Sequence, residues 1–127
     1  MHWVDTDTAG VMHFSNFFRY FEACEEEFYR SIGMPLTMIR NEFGVLLPRV
    51  EAHCEYKVAC RFDDEIIVEM KVREVAERTI TYRFQATRKG DQKPAAVGYV
   101  KCIAIDSKWK ATSLPPEVTT RVRENLD

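Results

Sequence analysis

The sequence predicts an α+β domain in which one long helix packs on a single antiparallel sheet. Three observations predict it. A phenylalanine-rich stripe recurs at steps of three and four near the N-terminus. The apolar period then switches to two from residue 50 onward. Turn-forming stretches separate the segments of period two. Helical pattern first and strands afterwards is the order of an α+β fold, not of an alternating α/β one. The length of 127 residues fits one domain with one core, so 1–127 is read as a single unit.

The helix is carried by Phe14, Phe17, Phe18, Phe21, Cys24, Phe28 and Ile32, which share a face at helical spacing. Ser15 and Asn16 suit its N-cap and Gly33 its C-cap, giving a helix of about 17 residues. The run Glu25-Glu26-Glu27 is read as a solvated face. Residues 35–43 read as a short helix with Pro35 in its first turn. Val50, Ala52, Cys54, Tyr56 and Val58 then alternate with polar residues and predict a strand with one buried face. Ile66, Val68, Met70 and Val72 form a second such set, broken only by Ile67, and Ile80, Tyr82, Phe84 and Ala86 a third. Ala76-Glu77-Arg78 and residues 89–93 are the expected hairpin turns. Residues 96–105 are apolar on both sides, which predicts a central strand or a subunit contact. Pro115-Pro116 ends the strands, and residues 117–126 suit a terminal helix with Pro116 at its start.

Composition excludes several classes. Hydrophobic residues make up 46% and charged residues 30%, a soluble globular mixture. With 18 Lys plus Arg against 20 Asp plus Glu, the net charge of −2 is not that of a general nucleic-acid binder. No apolar run approaches the ~20 residues of a membrane span. Met1 to Asp5 carry neither a basic nor an apolar leader region, so a cytoplasmic location is expected. Cys24, Cys54, Cys60 and Cys102 form no CxxC pair and no metal-ligand spacing, and are expected as free thiols with no metal.

The segment that carries chemistry is VDTDTAGVMH, residues 4–13, which leads directly into the long helix. A helix N-terminus offers unpaired N–H groups and partial positive charge, which can polarise an oxyanion. A carboxylate in the preceding loop can stand beside that spot as nucleophile or general base, the pairing acyl transfer needs. Asp5 and Asp7 can equally cap a turn and the helix start, Asp5 being the better candidate for a purely structural role. His13 can equally be a packed residue without catalytic duty.

Residues 4–22, VDTDTAGVMHFSNFFRYFE, resemble the signature of the 4-hydroxybenzoyl-CoA thioesterase family of hotdog-fold proteins. The resemblance extends to the element order of essentially the whole chain. It implies a long central helix wrapped by a curved antiparallel β-sheet, a homodimer or homotetramer, and hydrolysis of an acyl-CoA thioester. It implies Asp7 as the catalytic carboxylate and the backbone N–H of Phe14 as the group that polarises the thioester oxygen. Many bacterial members of the family carry His, and the hydroxybenzoyl enzyme Tyr, where this chain has Phe14, which keeps the backbone donor and drops a side-chain one. His13, Asn16, Phe17 and Glu22 are the implied substrate-binding residues; Asn16 can also cap the helix, and Phe17, Phe18 and Phe21 can line an acyl pocket or belong to the core. Glu22 stands where the hydroxybenzoyl enzyme receives its substrate hydroxyl. The family's first strand is usually longer than the four residues before Asp5. No cofactor is implied, because CoA is part of the substrate; its phosphates would favour Arg88, Lys89 and Lys93. Neither nucleic acid nor a membrane span is implied.

Three other readings use the same residues. A hotdog hydratase or dehydratase wants a His in a different arrangement, and the DTDTAG loop argues against it. A non-catalytic module holding acyl-CoA or an acyl carrier protein is the main alternative. A plain lipid-binding domain predicts a pocket with no carboxylate at its end.

Overall fold

A computed structural model describes residues 16–126. The described elements are α1 (Asn16–Ser31), α2 (Leu36–Phe43), β1 (Arg49–Tyr56), β2 (Ile66–Val75), β3 (Thr79–Arg88), β4 (Ala96–Ile103) and α3 (Pro116–Arg123). The four strands form one antiparallel sheet in the order β1-β4-β3-β2. Both expected hairpins are present, and the expectation that 96–105 supplies a central strand holds for β4. Helix α1 ends as the sequence predicts. Gly33 takes the left-handed φ of 77°, and the Met34 N–H donates back to the Tyr29 carbonyl at 2.9 Å. Pro35 caps α2 from just outside it, its carbonyl accepting the N–H groups of Met38 and Ile39.

The core lies between α1 and one face of the sheet. Ile80, Tyr82, Phe84 and Ala86 of β3 are buried, as the alternation predicts, and Ala96, Val100 and Cys102 of β4 join them. Helix α1 lays Phe17, Phe21, Glu25 and Tyr29 on that face, four residues on one line at steps of four. Phe18, Cys24, Phe28 and Ile32 flank this line half-buried. Each large apolar side chain so buried is worth ~1.5–3 kcal/mol. Helix α3 packs Val118 and Val122 near β2, and its Arg121 donates to the Ile32 carbonyl at the end of α1 at 3.0 Å.

Gly98 sets how closely the helix approaches. The Phe21 ring stacks on Phe84 with centroids 4.7 Å apart, directly over Gly98. A Cβ at Gly98 would stand 2.3 Å from the His53 carbonyl oxygen and 3.2 Å from the Phe21 ring. The first contact is backbone and cannot swing away. Gly98→Ala is therefore expected to destabilise by about 1–3 kcal/mol, as forced overpacking does. Urea unfolding measures it, and an unchanged midpoint would show that β1 and β4 separate freely.

Two expectations are corrected. Glu25 is not on a solvated face: it is 1% exposed and sits in the core line of α1, whereas Glu27 is exposed. Strand β1 does not have one wet and one buried face: every residue but Cys54 is exposed, Val50 at 54% and Tyr56 at 45%. Val50 leaves the inward set through a register irregularity between Arg49 and Glu51. It places Arg49, not Val50, opposite the buried Cys102, whereas Ala52 and Tyr56 stay opposite the buried Val100 and Ala96 and are exposed because β1 is the edge strand. As an edge strand β1 has β4 as its one neighbour among the described residues, so nothing there covers its outer side.

Candidate active site

The first two turns of α1, the inner face of β1 and the middle of the sheet leave a cavity of 160 Å³ between them. Phe18, Phe21 and Glu22 form one wall, Arg49 and Ala52 of β1 another, and Phe84 and Val100 the floor. Five of these seven residues are apolar, and the two charged ones are Glu22 and Arg49. An apolar cavity of ~150 Å³ accepts one benzene ring, so this one has room for a single ring or a short chain.

The charge on its β1 wall is held from behind by a buried polar cluster. Arg49 Nη2 donates to the Glu25 carboxylate. Arg49 Nη1 donates to Cys102 Sγ and to the Leu47 carbonyl, each at 3.2 Å. The Cys102 thiol lies 3.9 Å from the second Glu25 oxygen. The Tyr82 hydroxyl bonds Glu25 and also the Tyr29 hydroxyl. Burial raises the Glu25 carboxyl above its ordinary range, and the Arg49 guanidinium pulls against that rise. Burial pushes the Cys102 thiol up to about 12, with the Glu25 charge adding to it. That thiol is therefore protonated near neutrality and is no nucleophile. Burial likewise lifts both tyrosines. The cluster is a fixed support, with its one cation reaching the cavity.

The opposite face of the sheet carries a larger, open groove of 390 Å³. Its floor is a row in register across all four strands, His53, Tyr99, Arg83 and Lys71, with Arg73 over the Tyr99 ring. Charged rows are the ordinary solvent face of an antiparallel sheet.

Of the residues that the sequence singles out, Asp7, His13 and Phe14 lie outside the described residues. Asn16 opens the described part of α1 and is half-buried. Phe17 is buried in the core, its ring 5.5 Å from that of Tyr56; Phe18 and Phe21 are the stripe residues that line the cavity. Glu22 lines the cavity too. Arg88 is bound to Asp91 at 2.7 Å and Lys89 to Glu65 at 3.1 Å, so both serve local ion pairs at the hairpin. All four cysteines are free, Cys60 and Cys102 buried and the other two half-buried. Among the described residues no cluster could hold a metal ion, and no helix is long and apolar enough to cross a membrane. Sequence reasoning missed Glu25, Arg49, Tyr29 and Tyr82. One signal was available: Glu25 lies four residues from Phe21 and four from Tyr29, on the buried line.

Known proteins match this chain over nearly its whole length. The description "thioesterase-like superfamily" matches residues 1–122. The crystal structure of a protein of Aquifex aeolicus superposes with a TM-score of 0.89 at 30% identity, covering 96% of this chain and 94% of that one. The acyl-CoA thioesterase YbgC of Haemophilus influenzae is 26% identical over 118 residues, 93% of this chain and 86% of that protein. A 1,4-dihydroxy-2-naphthoyl-CoA hydrolase of a Synechococcus strain is 24% identical over 122 residues, 92% of this chain and 80% of that protein.

Proposed function

The chain belongs to the thioesterase-like superfamily and has its hotdog fold, and from that premise we propose that it hydrolyses acyl-CoA thioesters to the free acid and CoA. The acyl group is aromatic or of short to medium length. The match over residues 1–122 carries the reading, and relatives named as acyl-CoA thioesterase and acyl-CoA hydrolase support the reaction class. The cavity beside the first turns of α1 supports the size of the acyl group.

In this reading Asp7 is the nucleophile or the general base, and the Phe14 backbone N–H polarises the thioester oxygen. The support for both is the DTDTAG loop and its spacing to the helix. Phe18 and Phe21 hold the acyl body. Glu22, at the opening, accepts a hydrogen bond from a polar acyl substituent where there is one. Either His13 or Asn16 would meet the substrate nearer the thioester. The four free thiols suit a reducing cytoplasm, where we place the protein.

The working unit is a homodimer or homotetramer. Support comes from β1, an edge strand with Val50 and Tyr56 exposed, since natural edges of this kind are usually paired or covered.

The test is release of CoA thiol from a panel of benzoyl-, hydroxybenzoyl-, butyryl-, hexanoyl- and decanoyl-CoA, with Asp7→Asn as control. Turnover of at least one substrate, lost in Asp7→Asn, is the expected result. Tight binding of acyl-CoA by the wild-type protein without thiol release would instead make it a non-catalytic acyl-CoA or acyl-carrier-protein binding module.

A further inference from the structure

Arg49 borders two cavities at once. One is the 160 Å³ cavity of the candidate site. The other is a cavity of 250 Å³ between α2 and the segment entering β1, lined by Leu36, Ile39, Val45, Leu46 and Leu47 together with Thr37 and the charged Arg40. Arg49 is a lining residue of both. It is not a loose side chain: Glu25, Cys102 and the Leu47 carbonyl hold it at three points, and Glu25 is itself fully buried. The register irregularity at the start of β1 turns Arg49 inward, where an uninterrupted strand would present Val50.

We propose that Arg49 is the specificity-determining partition of the acyl site. It ends the first cavity at about one ring or a short chain and closes off the second, mainly apolar cavity, which would otherwise take the distal end of a medium-chain acyl group. The inference rests on the acyl-CoA reading above. An extending chain meets the guanidinium and its buried partners. To pass, it would have to displace a cation from a buried carboxylate, which costs more than the ~0.8 kcal/mol gained per methylene buried beyond it.

The experiment compares wild type with Glu25→Gln/Arg49→Ala, and with Arg49→Lys as the variant that keeps a cation in the wall. The double variant is used because Arg49→Ala alone leaves the Glu25 charge buried without its partner. Folding of each is checked by thermal unfolding. Thiol release is followed on butyryl-, hexanoyl-, octanoyl-, decanoyl- and dodecanoyl-CoA. In wild type and Arg49→Lys, kcat/KM should peak at the short end. In the double variant the optimum should move to longer chains, with the decanoyl-to-butyryl ratio of kcat/KM rising at least about tenfold, the factor that burying two further methylenes supplies.

A folded double variant whose chain-length profile overlays that of wild type overturns the partition. Should wild type cleave no acyl-CoA, the thioesterase reading fails, and the partition is decided by binding instead. Decanoate should then raise the melting temperature of the double variant and not that of wild type, with butyrate as reference. Equal shifts in both proteins would overturn it.

Discussion

Replacing Asp7 by Asn is expected to lower kcat for acyl-CoA hydrolysis by about a hundredfold to ten-thousandfold, the range associated with loss of a positioned acid–base group. Asparagine keeps the size of the side chain and its capacity to accept a hydrogen bond. It loses the charge, and with it both basicity and nucleophilicity. In the proposed site the acyl body lies against Phe18, Phe21 and their neighbours, which line the cavity and which the substitution leaves alone, so KM should change little. A loss confined to kcat is the signature of chemistry, whereas a structural role for Asp7 at a turn would show in the melting temperature. If the carboxylate attacks the carbonyl itself, the C–S bond breaks, the CoA thiolate leaves and a mixed anhydride forms, which water then opens. Single turnover in oxygen-18 water that labels Asp7 establishes the anhydride route, because only opening of the anhydride at the enzyme's carboxyl carbon puts the label there. An Asp7→Asn protein within threefold of wild type in kcat would remove Asp7 from the reaction.

How much was legible depends on which residues carried the message. In β3 the alternation of Ile80, Tyr82, Phe84 and Ala86 was sufficient, because that strand is central and one face is covered throughout. In β1 the same pattern of alternation misled. Val50 should point inward by counting back from Ala52, but the strand carries one extra residue and Arg49 takes the inward place opposite Cys102. Periodicity is blind to such an insertion, since nothing in the side chains of Arg49, Val50 and Glu51 marks it. Glu25 was hidden differently. Within Glu25-Glu26-Glu27 it reads as one of three solvated acids, and only a cation 24 residues further on, delivered by the same irregularity, makes its burial tolerable. The two misreadings are thus one fact seen from α1 and from β1. For the candidate site the balance is reversed. The proposal of Asp7 and the helix-start donor rests on the loop motif and its likeness to a family signature, both residues lying outside the described ones, while the walls of the cavity depended on pairing across the sheet, which a linear pattern cannot supply.

That buried pair makes the second large prediction. Arg49→Ala is expected to destabilise the protein by about 3 kcal/mol near pH 7.5, toward the lower end of what removing one partner of a buried ion pair costs, because Arg49 itself is 35% exposed. At this chain length that is a fall in melting temperature of roughly 10 °C. The loss should depend on pH, and its sign follows from Glu25. Burial raises that carboxyl above its ordinary value of 4.5, and the Arg49 charge opposes the rise. Without Arg49 the opposition is gone and the carboxyl rises further. A folded-state value above the unfolded one means that the native protein binds the extra proton. Stability from this group is therefore fully present below the ordinary value and is lost as pH climbs through the raised one. The gap between wild type and Arg49→Ala should accordingly be widest at pH 7.5 and narrow on acidification toward pH 5. Glu25→Gln/Arg49→Ala removes the charge that needed a partner. It should recover most of the loss and abolish its pH dependence. Urea unfolding of the three proteins at both pH values measures all of this. A penalty for Arg49→Ala that is equal at both pH values, or that persists undiminished in the double variant, would mean that the guanidinium stabilises by its packing and not by neutralising the carboxylate beneath α1.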